Sequence, residues 1–477
     1  MAQSGRILPV AAFLPLCALA TAPAFAQTAL PPASGAPLSI SADSDPLLDL
    51  TRQAESRQAF RDVIAAAVSR NPSVAEAEAY LNEARARRRE AQMGLIPDLE
   101  IGFSARQSLA RNFSDDPDNL IEQSRSRGRA DATFGVQQPI LDFGATSARI
   151  VAAGHRLRAA AWEIDASAER TALSAVAAWY DVFAYRALVE LAEAFQASQR
   201  EFRASVEQRI DSGVNARGDI ARADSSIAVT GANLARYRRL AAAAEARYTE
   251  LIGAPPAETL RAPAPDQPAI TKAMAEYLGR TAPQVEAARS EANAAYDDSR
   301  AARAERLPQV TAGVEGGRYG LFDTDQGSDY DVRATVNVRQ RFFAGTFARA
   351  DAERYRADAV RARAYAVEEE SAREAAIAWA DVDALNAQVA ALQDNYIASR
   401  QTRDVLAERF RVSRGTLFDV LQAEDAYFAV AGSFIQAVTE RDAARYVLLA
   451  RTGRLLDALG IDERGRAVGD MAAGDIE

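Results

Sequence analysis

Cysteine, histidine and lysine are almost missing from these 477 residues. Cys17 is the one cysteine, His155 the one histidine and Lys272 the one lysine. Cys17 lies in an N-terminal apolar stretch, and Leu16 precedes it where a lipidation signal has a small residue. Without that stretch the chain has no thiol, which excludes disulfides and thiolate metal sites. His155, between Gly154 and Arg156 in a helical region, reads as a lone surface side chain. Hydrolytic, redox and zinc chemistry have almost no raw material, so no catalytic residue, cofactor or metal is expected. Past the N-terminus there is also no run of ~20 apolar residues, which excludes a transmembrane helix. A transmembrane barrel stays open, because its strands are short and only half apolar. Basic excess is lacking as well. The formal charge is −10, which makes nucleic acid a poor partner.

The first residues read as a secretory signal. Arg6 supplies the positive start, residues 7–19 are largely apolar, and Ala24-Phe25-Ala26 fits the small-x-small cleavage rule. Residues 1–26 are the expected signal peptide. Its removal takes away Arg6 and no acid, leaving a net charge of −11. An N-terminal anchor is the other reading, for which the apolar run is short.

What is present is a duplication. Ala178-Trp179-Tyr180-Asp181-Val182 returns as Ala378-Trp379-Ala380-Asp381-Val382, Gly144 as Gly345, and Asp219 as Asp419. Upstream, Leu95-Ile96-Pro97 matches Arg306-Leu307-Pro308 and Asn71-Pro72 matches Ala282-Pro283. The offset shifts from 211 to about 200 between Pro97 and Gly144, so the first half carries about ten extra residues there. A repeat this long is no solenoid unit. It predicts two similar halves, 57–252 and 270–461. A tether precedes them over 27–56, a linker with five prolines joins them over 253–269, and a flexible tail follows over 462–477.

Each half reads as helix, strand, loop, strand, very long helix, tight turn and helix. Pro97 blocks helix, and the period then changes from 3.6 to 2. Leu99, Ile101 and Phe103 alternate with polar residues, as do Phe134 and Val136, then Val310, Ala312 and Val314, then Val332, Val336 and Val338. Hairpins are expected over 98–141 and 309–343. One apolar and one polar face fits a lipid-facing barrel with a wet lumen. It fits a half-buried soluble sheet equally well. The loop 321–329 resembles the start of a calcium loop but lacks the closing glutamate, and reads as a solvated acidic loop.

The long helical runs, from about 144 to 211 and from about 345 to 412, contain no proline. At ~1.5 Å per residue each reaches roughly 100 Å. Such rods need neighbours in a bundle. Leu385, Val389, Leu392 and Tyr396 show seam spacing. Four strands cannot close a barrel, and open edges in a bilayer are prohibitive. Three chains give twelve strands and a tube of helices beneath; four would also close. The expected fold is therefore mainly α with a small transmembrane β part, shared among copies.

At this point the chain resembles the TolC-type outer-membrane factors, the exit ducts of efflux pumps and type I secretion systems. The resemblance rests on Asn71-Pro72-Ser73-Val74, Leu95-Ile96-Pro97, the stretch from Gln138 through Pro139, Ile140, Leu141, Asp142 and Phe143 to Gly144, and above all the run 409–424. It covers roughly residues 57–461. It implies a homotrimer with a twelve-stranded barrel in the outer membrane of a Gram-negative bacterium, set on an α-helical tunnel crossing the periplasm. The implied partners are outer-membrane lipid, a periplasmic adaptor (membrane fusion) protein and an inner-membrane translocase. The helix turns, with Gly213, Ser413 and Gly415, are the implied tip. Asp419 and Gln422 stand at the family's aperture positions, where two acids are usual. A bland alternative makes Asp419 the cap of its helix. Relatives latch the tip through an Asp bonded to a Tyr and an Arg. Here Asp219 matches the Asp, but Phe410 and Gly415 hold the other places, so those bonds cannot form. Arg414 is the nearest replacement, and a differently wired gate is expected. A passive duct is the leading reading, with type I protein secretion favoured over small-molecule efflux. The Ile140-to-Gly144 form of the strand exit and the missing lipidation cysteine carry that preference. A periplasmic coiled-coil adaptor is the distant alternative, against which the strands speak.

Overall fold

The computed structural model describes residues 34–35, 37, 45–52, 54–110, 112, 128–211, 218–256, 261–265, 269–321, 329–340, 344–412 and 414–461. The signal segment, Gly213, Ser413, the C-terminal tail and most of both acidic loops lie outside the described residues.

Two short helices, α1 (Pro46–Arg52) and α2 (Arg57–Arg70), lead into α3 (Pro72–Met93). Ser56 caps α2 by accepting from the Ala59 N–H at 3.2 Å. Asn71 caps α3 from the Ser73 N–H at 2.9 Å, with Pro72 in the first turn, where its missing N–H costs nothing. Strands β1 (Asp98–Gln107) and β2 (Gly128–Leu141) follow, then α4 (Ala145–Asp211) and α5 (Gly218–Ile252). The second half repeats the plan. It has α6 (Lys272–Gly279), α7 (Pro283–Ala304), β3 (Gln309–Tyr319), β4 (Asp329–Arg339), α8 (Ala344–Arg411), α9 (Leu417–Arg451) and a last turn, α10 (Leu455–Leu459).

The four strands form one antiparallel sheet in chain order, β1-β2-β3-β4. The helices continue it in the same order. α3 packs on α4, α4 on α7 and α7 on α8, so each strand has its helix below it. Among the described residues no helix is long and apolar enough to cross a membrane.

Alanine is the main building block of the helical layer, favouring helix and letting axes approach. The buried side of α8 is two files at seven-residue spacing, Ala350, Ala357, Ala364, Ser371 and Ala378, then Ala375, Val382, Val389, Tyr396, Arg403 and Phe410, with Ala372 and Asp404 beside them. A sustained seven-residue period winds helices into a left-handed supercoil. Of the seam read from sequence, Tyr396 and Val389 are buried, while Leu385 and Leu392 are half-buried, Leu392 packing against the cluster from its edge.

The largest core lies at mid-height, where α2, α10 and the linker meet α4 and α9. Phe60 stands edge-on to Trp179 at 5.2 Å, and Tyr180, Tyr248 and Tyr446 complete the cluster. Prolines 263 and 265 lie in a segment that is pinned here. Arg261 pairs with fully buried Asp442 at 3.0 Å, and the Tyr446 hydroxyl donates to the Pro263 carbonyl at 2.7 Å. Burial pushes the Tyr446 phenol above its ordinary range.

One expectation needs correction. The segment 27–56 reads as a tether from its alanine, proline and serine content. From Asp45 onward it is instead built into the fold. The Asp45 side chain caps α1, and Leu47 and Leu48 are buried between α4, α8 and α9. Two leucines supply enough apolar area to hold a segment whose average composition says coil.

Candidate functional site

The sheet has two chemically distinct faces, and its register decides which residues share them. Leu99 lies opposite Val136, and Ile101 opposite Phe134. Val136 lies opposite Val314, and Val314 opposite Ala334. Residues directly opposite in an antiparallel pair share a face, so the apolar stripes read along each strand merge into one band across all four. That band is bare: Ile101 is 77% exposed and Val336 73%. The opposite face carries charge. Arg333 stands 2.9 Å from Asp331 and 3.5 Å from Glu315, and Arg129 lies 2.6 Å from Asp131. The outer strands β1 and β4 each leave a full-length edge unpaired within the chain.

Below the sheet, α3, α4, α7 and α8 together line a cavity of about 560 Å³. A hollow that touches all four members of a layer marks its concave side. Arg149 and Arg156 on α4, and their repeat partners Arg349 and Arg356 on α8, line it at seven-residue spacing. Arg149 pairs with Glu305 and Arg156 with Asp298, so the surface is wet and mixed in sign.

At the far end the two hairpins meet. Thr416 caps α9, accepting from the Asp419 N–H at 3.2 Å, and its hydroxyl donates to the Asp419 carboxylate at 2.7 Å. The cap is therefore Thr416, with Asp419 as its reciprocal partner three residues on. Asp419 and Gln422 are both exposed. Asp219 is half-buried in the first turn of α5. Phe410 is not at an open latch. It is buried with Val206, Leu417 and Val420, and its ring meets Phe202 at 5.2 Å. Gly415 sits so close to the end of α8 that a Cβ would lie 3.2 Å from the Phe410 nitrogen. Arg414 is exposed, and its N–H closes the end of α8 on the Arg409 carbonyl at 2.8 Å.

The contact that ties the two halves here is one the sequence reading missed. Arg209 of α4 donates to the carbonyls of Phe410 and Arg411, both at 3.0 Å, and its guanidinium lies 4.2 Å from the centre of the Phe410 ring. A cation at the carbonyl end of α8 is favoured by the helix dipole and meets acceptors left open there. Arg209 is the repeat counterpart of Arg409, so the duplication held the signal.

The model of the outer membrane efflux protein family matches residues 63–254 and 278–454. The chain belongs to that family. The outer membrane efflux protein BepC of Brucella suis biovar 1 (strain 1330) is 28% identical over 345 residues, which cover 70% of this chain and 75% of BepC. Among solved structures, the outer-membrane channel OprN superposes with a TM-score of 0.71 at 22% identity, covering 85% of this chain and 95% of OprN. The CmeC outer membrane channel of Campylobacter jejuni gives 0.75 at 11% identity, covering 92% and 94%. Identities this low speak for the fold. As an outer membrane efflux protein the chain is a channel protein of the outer membrane and not an enzyme. The bare apolar band is then the lipid-facing surface of a barrel, which decides against the half-buried soluble sheet.

Proposed function

We propose that this outer membrane efflux protein is a homotrimeric exit duct. The observation that carries the proposal is the open sheet: an apolar outer face, a charged inner face and two unpaired edges. Unpaired backbone in a bilayer costs several kcal/mol per group, so the edges need partners. Three copies of a four-stranded sheet give a closed barrel of twelve, with β4 of one copy beside β1 of the next. The helical layer then closes beneath it into a tunnel with the cavity arginines on its wall.

The duct does no chemistry of its own. An inner-membrane translocase supplies the energy and a periplasmic adaptor joins it to the tip, at the ends of α4 and α8. Asp419 and Gln422 line the aperture. Three copies of Asp419 make a negative ring that favours cations. Asp219, Phe410 and Arg414 act in the gate, with Arg209 added from the geometry above.

We favour small molecules as the cargo, because the family and BepC are described as outer membrane efflux proteins. Type I protein secretion is the second reading, favoured by the form of the strand exit at residues 140–144. A deletion strain separates them. Hypersensitivity to dyes, detergents and antibiotics with an intact secretome supports efflux. Loss of one or a few large extracellular proteins with unchanged sensitivity supports secretion. Asp419→Ala in planar bilayers tests the aperture: cation selectivity is expected to drop, and unchanged selectivity removes Asp419 from the lining.

A further inference from the structure

Asp45 is a buried carboxylate with an unusual set of donors. Its side chain is almost fully enclosed and accepts from the N–H groups of Leu47 at 2.9 Å and Leu48 at 3.0 Å. The Tyr396 hydroxyl donates to it at 3.0 Å, and the Arg400 guanidinium at 2.5 Å. The Tyr396 hydroxyl also lies 2.8 Å from that of Tyr427. Arg403, itself buried, stacks over the Tyr427 ring at 4.6 Å. Tyr396 and Arg400 belong to α8, and Tyr427 to α9. One carboxylate from the N-terminal segment therefore bonds to α8, and through Tyr396 reaches α9. Leu47 and Leu48 drive the same segment into the apolar cluster of Leu188, Leu191 and Phe195 on α4 with Phe434 on α9.

The first half has no such carboxylate among its described residues. At the positions 200 residues earlier, Arg200 instead donates to Gln196 at 2.8 Å. Ile227 stands in the place of Tyr427. The second hairpin is also the one that carries Asp419 and Gln422, and α8 is held by one narrow stripe of buried residues. Arg400 lies eleven residues from the end of α8, roughly 16 Å along the axis. A contact there sets how the hairpin leans against its neighbour before the tip is reached.

We propose that the segment starting at Asp45 is an intramolecular clamp on the second hairpin, and that Asp45 is a positioning residue for the aperture. The proposal rests on the exit-duct reading. A shift of α8 and α9 against α4 at the widening tip must either pull Leu47 and Leu48 off α4 or break the bonds that tie the Asp45 carboxylate to α8. Loss of a charge-assisted bond moves a two-state equilibrium by roughly tenfold.

The test uses the purified full chain in planar lipid bilayers under potassium chloride. The variants are Asp45→Asn, Tyr427→Phe and, as a control in the matching place of the first half, Arg200→Gln. The expected result is a roughly tenfold rise in open probability for Asp45→Asn. A smaller rise is expected for Tyr427→Phe, which removes one hydroxyl and keeps the ring, with the control like the wild type. If Asp45→Asn does not assemble, Tyr427→Phe carries the test alone. Wild-type-like openings in the assembled variants overturn the clamp and leave the duct intact. Equal rises in all three, control included, also overturn it. Absence of channels from the wild type and every variant overturns the duct reading and the clamp with it.

Discussion

The two long helices α4 and α8 are repeat partners of nearly equal length, 67 and 68 residues, yet they are buried in different ways. α4 buries side chains on several faces, from Leu157 through Trp179, Phe183 and Leu191 to Phe195. α8 buries one narrow stripe. The cause is position in the layer. α4 is flanked by α3 and α7 and also backs onto α2, α5 and α9, whereas α8 is the end helix: α6, α7 and α9 are its main neighbours, and the Asp45 segment and α4 touch it toward its C-terminal end. Tyr355, Tyr365 and Ile377 of α8 remain uncovered in the single chain. Duplication preserved the rod and changed what surrounds it, so burial follows the neighbours rather than the helix's own pattern.

The sharpest way to break that comparison is a matched truncation. Phe195 of α4 is fully buried and stacked on Phe428 at 4.5 Å. Its repeat partner Asn395 is exposed. Phe195→Ala is expected to cost about 3–5 kcal/mol, the transfer loss plus the cavity left behind. Asn395→Ala is expected to stay within about 0.5 kcal/mol. Denaturant unfolding of the detergent-solubilised protein reads both. Equal losses would mean that α8 is as enclosed as α4.

Much of this was legible beforehand, and the exceptions have physical reasons. Period-2 alternation placed all four strands, because one face of each is bare and apolar while the other is polar. The absence of proline and the high alanine content placed α4 and α8 to within a residue or two. The tip turns expected at Gly213 and Ser413 lie outside the described residues. What composition could not show was long-range pairing. Asp45 and Arg261 sit in stretches that read as coil, and only the fold brings them to Tyr396 and Asp442. Arg209 was missed for a related reason: its partners are main-chain carbonyls, so no side-chain partner points to it, and only its repeat position beside Arg409 does. Asp419 was read as a possible cap, whereas Thr416, three residues earlier, holds that role.

The tip gives the second contrast, of intermediate size. Arg209 holds two carbonyls at the end of α8, while its repeat partner Arg409 points outward and is exposed. Arg209→Ala is expected to cost about 1.5–3 kcal/mol, since it strands two acceptors and removes the cation over Phe410. Arg409→Ala is expected to cost little. Limited proteolysis at the tip reads the difference, with faster cleavage for Arg209→Ala. Equal rates would show that the two halves are joined there by the apolar cluster alone.

The smallest expected effect is a slope against pH. In the first half Arg203 meets Asp224 at 2.5 Å in an exposed pair. In the second half the same two places hold Arg403 and Glu424, 3.7 Å apart and nearly enclosed. Burial pushes the Glu424 carboxyl above its usual 4.5, with Arg403 pulling it back and Asp404 and Asp425 adding to the rise. Between 4.5 and the folded value the native chain holds a proton that the unfolded chain has lost. Stability from this group is thus full below 4.5 and declines as pH rises through the folded value. Glu424→Gln keeps the side chain neutral throughout, so its stability relative to wild type is expected to increase with pH across that window. A flat difference for Glu424→Gln would mean that Arg403 offsets the burial of Glu424 completely. The two hairpins would then be electrostatically alike despite their different enclosure.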